Sequence, residues 1–237
     1  MTNTQEQENN EEGRRPLKVR DAGLAQRCAV WLSNKNITPN QISIASVGFA
    51  ALAAICLILL PKAVVGSSAA SSFFSFTLPV LAAVFIQCRL LCNLFDGMVA
   101  VEGGKGTPAG ELFNDIPDRI ADPLLLVATG WAITSSDWGV SLGWCAGLLA
   151  VMTAYIRTLA ASIGSPTDFQ GPMAKQHRMA ILTIACVITA IEATFWNSTN
   201  ALLLSLIVII SGCLLTAFKR SRSAYQFLET QTQEQDT

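Results

Sequence analysis

The sequence predicts an all-α integral membrane bundle of six transmembrane helices preceded by an interfacial amphipathic helix, and three observations carry that prediction. Of 237 residues, 51% are hydrophobic and only 14% are charged, against about 25% charged in an ordinary soluble domain. The apolar residues fall into six runs, near 40–61, 76–100, 110–134, 139–161, 178–196 and 200–218, each close to the ~20 residues that cross a bilayer core. Basic residues cluster on alternate connections instead of spreading evenly. The net charge of −1, from 16 basic and 17 acidic residues, gives no electrostatic footprint for nucleic acid. Seven cysteines form no C-x-x-C pair and read as small buried apolar residues.

Residues 1–13 are polar and acidic and predict a disordered tail, as do 229–237 at the other end. Residues 14–36 interleave Leu17, Leu24, Cys28, Trp31 and Leu32 with six basic residues, the pattern of a helix lying on anionic lipid. Thr38, Pro39 and Gln41 then form a T-x-x-Q capping box with proline in the first turn, which sets the start of the first span. The membrane domain is expected over 37–220 and a polar C-terminal tail over 221–237. Positive residues before the first span, after the last, and in the second and fourth connections place both termini in the cytoplasm. Short loops and the lack of an organelle-targeting segment suit a bacterial inner membrane. Trp131, Trp138, Trp144 and Trp196 read as the aromatic belt of the opposite face. Gly139, Gly143 and Gly147, four residues apart, read as a close-packing seam within the chain.

The chemistry concentrates in the second and third spans. Arg89, Asn93, Asp96 and Ala100 share one helical face, and Glu111, Asn114, Asp118 and Asp122 share another. The glycine-rich link between them should fold the two helices antiparallel, with the polar faces opposed at the cytoplasmic side. Ionisable residues in a membrane span are costly and mark function by default. Opposed oxygen donors suit a hard divalent cation and phosphate oxygens, so the residues alone leave three readings: a metal-assisted phosphoryl site, a cation pathway, or a structural polar seam. A cation pathway would need polar residues reaching the far face, where only Asp137 and Glu192 lie near spans.

The stretch from Asn93 through Asp96-Gly97 and Ala100-Val101, then Gly110, Asn114 and Asp118, resembles the signature of the CDP-alcohol phosphatidyltransferases, D-x2-D-G-x2-A-R-x8-G-x3-D-x3-D. All intervals match, and the topology agrees along the whole chain. Three positions depart from it: Asn93 and Asn114 stand where the family has aspartate, and Val101 where it has arginine. The resemblance implies transfer of a phosphatidyl or other substituted phosphoryl group from a CDP-alcohol such as CDP-diacylglycerol to a small alcohol, with release of CMP, in phospholipid synthesis. It implies Asp118 as the base that deprotonates the acceptor. It implies one or two Mg2+ or Mn2+ ions at Asn93, Asp96, Asn114 and Asp118, with Asp115 and Glu111 as further candidate ligands. Asn93, Asp96, Gly97, Ala100 and Gly110 would border the CDP moiety, and Gly97 and Ala100 leave room beside the backbone. Arg157, Lys175 and Arg178 would hold an acceptor phosphate, unless they serve only the positive-inside bias. Arg89 would either supply part of a missing cation's charge or snorkel to the interface. His177 reads as an interface residue. Membrane lipids and a second copy of the chain are the expected partners. The alternatives are a relative that binds nucleotide lipid or metal without turnover, and a small cation transporter.

Overall fold

The computed structural model describes residues 23–66, 68–102, 109–166 and 169–235. The acidic tail at 1–13, the first part of the amphipathic segment and the glycine-rich link at 103–108 lie outside the described residues. Among the described residues seven helices follow one another: α1 (Gly23–Asn34), α2 (Pro39–Val65), α3 (Ala69–Glu102), α4 (Gly110–Ala132), α5 (Gly139–Ser162), α6 (Lys175–Trp196) and α7 (Asn200–Gln235). There is no strand among the described residues. The segment expected from the sequence to be a disordered tail over 229–237 is, up to Gln235, the end of α7, which runs unbroken to that residue. No glycine or proline interrupts the polar residues after Arg220, so a helix already nucleated by its apolar part simply propagates through them.

The start of α2 follows the sequence expectation. Thr38 has extended backbone and its hydroxyl accepts from the Gln41 amide at 3.3 Å, while the Gln41 side chain accepts from the Thr38 amide at 3.1 Å. α1 lays Ala25 and Ala29 against Ile42 of α2 and Leu94, Met98 and Val99 of α3, which fixes it beside the end of the bundle where the polar residues gather.

The side-chain distribution is that of a protein solvated by lipid. Small residues fill the centre, with Ala50, Ala53, Ala82, Ala121 and Ala146 almost wholly buried. Large apolar side chains such as Ile55, Leu81, Trp144, Ile184 and Leu204 point outward. Lipid tails are as apolar as leucine, so helix association rests on close backbone approach and not on hiding bulky side chains. α2, α3, α5, α6 and α7 are long and apolar enough to cross a membrane. The protein is thus an integral membrane protein with several apolar helices. α4, the remaining expected span, has the length but not the composition, because Glu111, Asp115, Asp118, Arg119 and Asp122 fall between its second residue and just past its middle.

α2 packs along both α3 and α4, α4 packs along α5, and direct packing of α3 on α4 is slight. The antiparallel α3–α4 pair expected from the sequence therefore meets through polar side chains, with α2 as the shared wall. The glycine seam lies within the chain, between α4 and α5. A Cβ added at Gly143 would stand 2.8 Å from the Leu126 carbonyl oxygen, and one at Gly130 only 2.5 Å from that of Gly139. Gly130, on the α4 side, is the partner that the four-residue spacing on α5 did not reveal. Both obstructions are backbone, which cannot rotate aside as a side chain does.

Gly143→Leu is accordingly expected to destabilise the bundle by at least about 2 kcal/mol, the cost of overpacking a close interface. Thermal unfolding in detergent measures it, with Leu148→Ala on the lipid-facing side of the same helix as the control that shifts little.

Candidate active site

Two carboxylates on α4 organise the polar end. Asp118 and Asp122 lie one turn apart, both buried, with Pro117 and Pro123 beside them. Arg89, from the middle of the long α3, has no exposed surface. Its Nη2 stands 2.9 Å from Asp118 Oδ1 and 2.6 Å from Asp122 Oδ1. One nitrogen thus spans both acids. Of the two sequence expectations for Arg89, the structure places it inward against the carboxylates and not at the interface. Two of its nitrogens, Nε and Nη1, are buried without a hydrogen-bond partner among the described residues.

The other oxygens of the two acids are taken from α6. Arg178 donates from Nη2 to Asp122 Oδ2 at 2.5 Å and from Nη1 to the Met173 carbonyl at 2.9 Å. Lys175 Nζ pairs with Asp118 Oδ2, and Asn93 Nδ2 donates to Asp118 Oδ1 at 3.1 Å. Asp118 therefore receives an arginine, a lysine and an amide. These contacts are charge-assisted, and in a medium of low dielectric they hold only as a set.

Asp96 stands apart from this network. Its Oδ2 accepts from Ser43 Oγ of α2 at 2.6 Å, and its buried Oδ1 has no donor among the described residues. Gly97 and Ala100, on the same stretch of α3, are half-buried, as is Gly110 at the first turn of α4. Asn114 is exposed one turn before Asp118, and the Glu111 side chain lies outside the described residues. Asp115 points to a second, outer cluster. It pairs with Arg119 at 2.7 Å and with Arg157 at 3.2 Å, and the Arg157 guanidinium lies 5.6 Å from the centre of the Phe169 ring.

The segment between α5 and α6 sets where Lys175 and Arg178 stand. Met173 N donates to Thr216 Oγ1 of α7 at 3.0 Å, and Arg220 donates from Nε to the Gln170 carbonyl and from Nη1 to the Thr153 carbonyl. Gly171 has a φ of 112°, and a Cβ there would meet Thr216 at 2.6 Å, so only glycine brings the segment this close. His177 is exposed, its Nδ1 2.7 Å from the Pro172 carbonyl oxygen. Ser43 and Arg220 were not singled out from the sequence. A basic residue directly following an apolar run was a signal for Arg220, whereas nothing in the sequence marked Ser43. Glu192, at the other end of the bundle, accepts from Ser198 and from the amides of Asn200 and Ala201. It caps α7.

Divalent cations demand many oxygen ligands. Among the described residues no three or more His, Cys, Asp or Glu side chains gather as a metal-binding group. Both oxygens of Asp118 already face cationic side chains, and Asp96 keeps a single free one. This donor set does not offer the ligands for a pair of cations.

No family model matches the chain. It is 28% identical over 193 residues to the inner membrane protein YnbA of Escherichia coli K12, across 81% of this chain and 87% of that protein. Its fold is that of Mycobacterium tuberculosis phosphatidylinositol phosphate synthase. The structure with CDP-DAG bound superposes with a TM-score of 0.68 at 19% identity, covering 86% of this chain and 94% of the synthase. The complex of the same synthase with manganese and citrate gives 0.66 at 19% identity, covering 85% and 88%.

The two acidic clusters should respond differently to truncation. Asp122→Ala removes a partner from two buried guanidinium groups and is expected to cost about 3 kcal/mol. Asp115→Ala breaks a half-exposed cluster and should cost less than about 1 kcal/mol. Equilibrium or thermal unfolding of the two variants in the same detergent compares them directly.

Proposed function

We propose that the protein transfers a phosphatidyl or similar substituted phosphoryl group from a CDP-alcohol, such as CDP-diacylglycerol, to a small alcohol, releasing CMP. The observation that carries this reading is the buried Asp118, contacted by Asn93 and Lys175, within the motif spacing that includes Asp96 and in a fold shared with a synthase solved with CDP-DAG. The acceptor hydroxyl attacks the β-phosphorus, its oxygen forms the new P–O bond, and the bond to the CMP oxygen breaks. The hydroxyl proton passes to Asp118. Catalysis of this kind rests on positioning and charge stabilisation more than on covalent chemistry.

Lys175 supports an acceptor that carries a phosphate, such as a glycerol phosphate or an inositol phosphate. Its side chain is part-exposed while touching Asp118, so a phosphate drawn to Lys175 brings its own hydroxyl beside the base. Arg157, part-exposed near Asp115, extends the positive surface. Arg178 is buried with both terminal nitrogens on Met173 and Asp122, and its part in this reading is to hold the start of α6. Gly97, Ala100 and Gly110 border the CDP moiety.

α4 is the sixth span in this reading, its acids neutralised from α3 and α6 instead of facing lipid. The protein sits in a bacterial inner membrane as a homodimer with both termini and the site on the cytoplasmic side. The inner-membrane relative and the grouping of Lys175, Arg178 and Arg220 at one end of the bundle support that orientation. A second reading, nucleotide-lipid binding without turnover, is favoured by one observation: every oxygen of Asp118 is already paired.

CMP release by purified protein in lipid decides between them, with CDP-diacylglycerol, added Mg2+ or Mn2+ and a panel of alcohols including glycerol 3-phosphate, inositol phosphate, inositol and serine. The expected result is CMP release with one acceptor, falling at least about 100-fold in Asp118→Asn, the scale of a lost general base. Nucleotide-lipid binding with no CMP from any acceptor would establish the second reading.

A further inference from the structure

At Asp118 and Asp122 the protein supplies its own counter-charges. Arg89, Lys175 and Arg178 face Asp118 and Asp122, and Asp96 is the third carboxylate of the set. Had Asn93 and Asn114 been aspartates, the same set would carry two further negative charges, which a divalent cation would have to neutralise. As the sequence stands, a pair of divalent cations would leave a strongly positive cluster in a site walled by apolar helices, where uncompensated charge is costly.

The geometry agrees with the charges. Arg89 Nη2 occupies Asp118 Oδ1, an oxygen that an ion at Asp118 would need, and a guanidinium cannot be deprotonated to make room. Lys175 occupies the remaining Asp118 oxygen. The Asn93 amide turns its NH2 toward Asp118, which presents a donor to the carboxylate where a metal would need an acceptor. Asp96 Oδ1 is the one buried carboxylate oxygen left without any cationic or hydrogen-bonding partner among the described residues.

We propose that Arg89, with Lys175, stands in for one cation of a two-ion centre, so that the site binds at most one divalent cation, at Asp96. Arg89 acts here as a positioning residue: it holds Asp118 and Asp122 and supplies permanent positive charge without touching the reacting atoms. The inference deepens the transferase reading, yet ion binding requires no turnover. An inactive protein would still report its ion count, and a count of two would leave the transferase reading intact.

The test is Mn2+ titration of the full chain in lipid nanodiscs, read from the free-ion electron paramagnetic resonance signal. No more than one Mn2+ per chain is expected, lost in Asp96→Asn. Two ions bound per chain would overturn the proposal, as would a single ion whose binding Asp96→Asn leaves unchanged. Arg89→Gln keeps a hydrogen-bond donor near Asp118 but removes the charge, and it should raise Mn2+ affinity at least tenfold. A purely structural arginine would not produce a gain of binding, so unchanged affinity in folded Arg89→Gln would also overturn the proposal. If that variant does not fold, the wild-type stoichiometry and Asp96→Asn decide the matter.

Discussion

A guanidinium without solvent between two carboxylates holds the polar end together. Arg89 reaches from α3 to Asp118 and Asp122 on α4, and those acids in turn hold Lys175 and Arg178 on α6. α4, which packs little on either α3 or α6 directly, is thereby tied to both through one set of charges. Replacing such a network by apolar side chains is often neutral for stability, whereas removing one member is costly. The network therefore explains how α3, α4 and α6 keep their relation better than it explains why the bundle is stable, which rests on the alanine-rich centre.

The position of these charges follows from how each helix begins. α2 starts at a capping box that holds Ser43 near Asp96, and α6 starts where Arg220, Thr216 and Gly171 pin the preceding segment. Both arrangements place polar groups at a helix end and leave the apolar remainder to cross the membrane. The starts of α2 and α6 supply Ser43, Lys175 and Arg178, and the interior of α3 and α4 supplies Arg89, Asp118 and Asp122, so the same backbone provides both the span and the site.

Much of this was legible in the sequence because membrane helices carry simple signals. The apolar runs, the cap at Thr38, the glycine seam and the shared face of Asp118 with Asp122 all follow from length and helical period. Partner choice was not legible. Arg178 and Lys175 look alike as basic residues of one connection, yet one is sealed against Asp122 and the other stays part-exposed at Asp118. That difference arises from tertiary placement of the segment before α6, which a helical period cannot encode. Arg89 illustrates the same point, since an arginine within a span has two reasonable fates and only the positions of α4 and α6 select between them. The extension of α7 to Gln235 was missed because polar composition was read as disorder, although a continuing helix needs no apolar face of its own.

The glycine seam has a mechanical consequence. With backbone against backbone, α4 and α5 cannot slide or roll on one another without collision, so they behave as a single two-helix blade. The side of α4 that faces α3 is joined by polar contacts instead of interlocked packing. The two flanks of α4 are thus held by different means, shape toward α5 and charge toward α3.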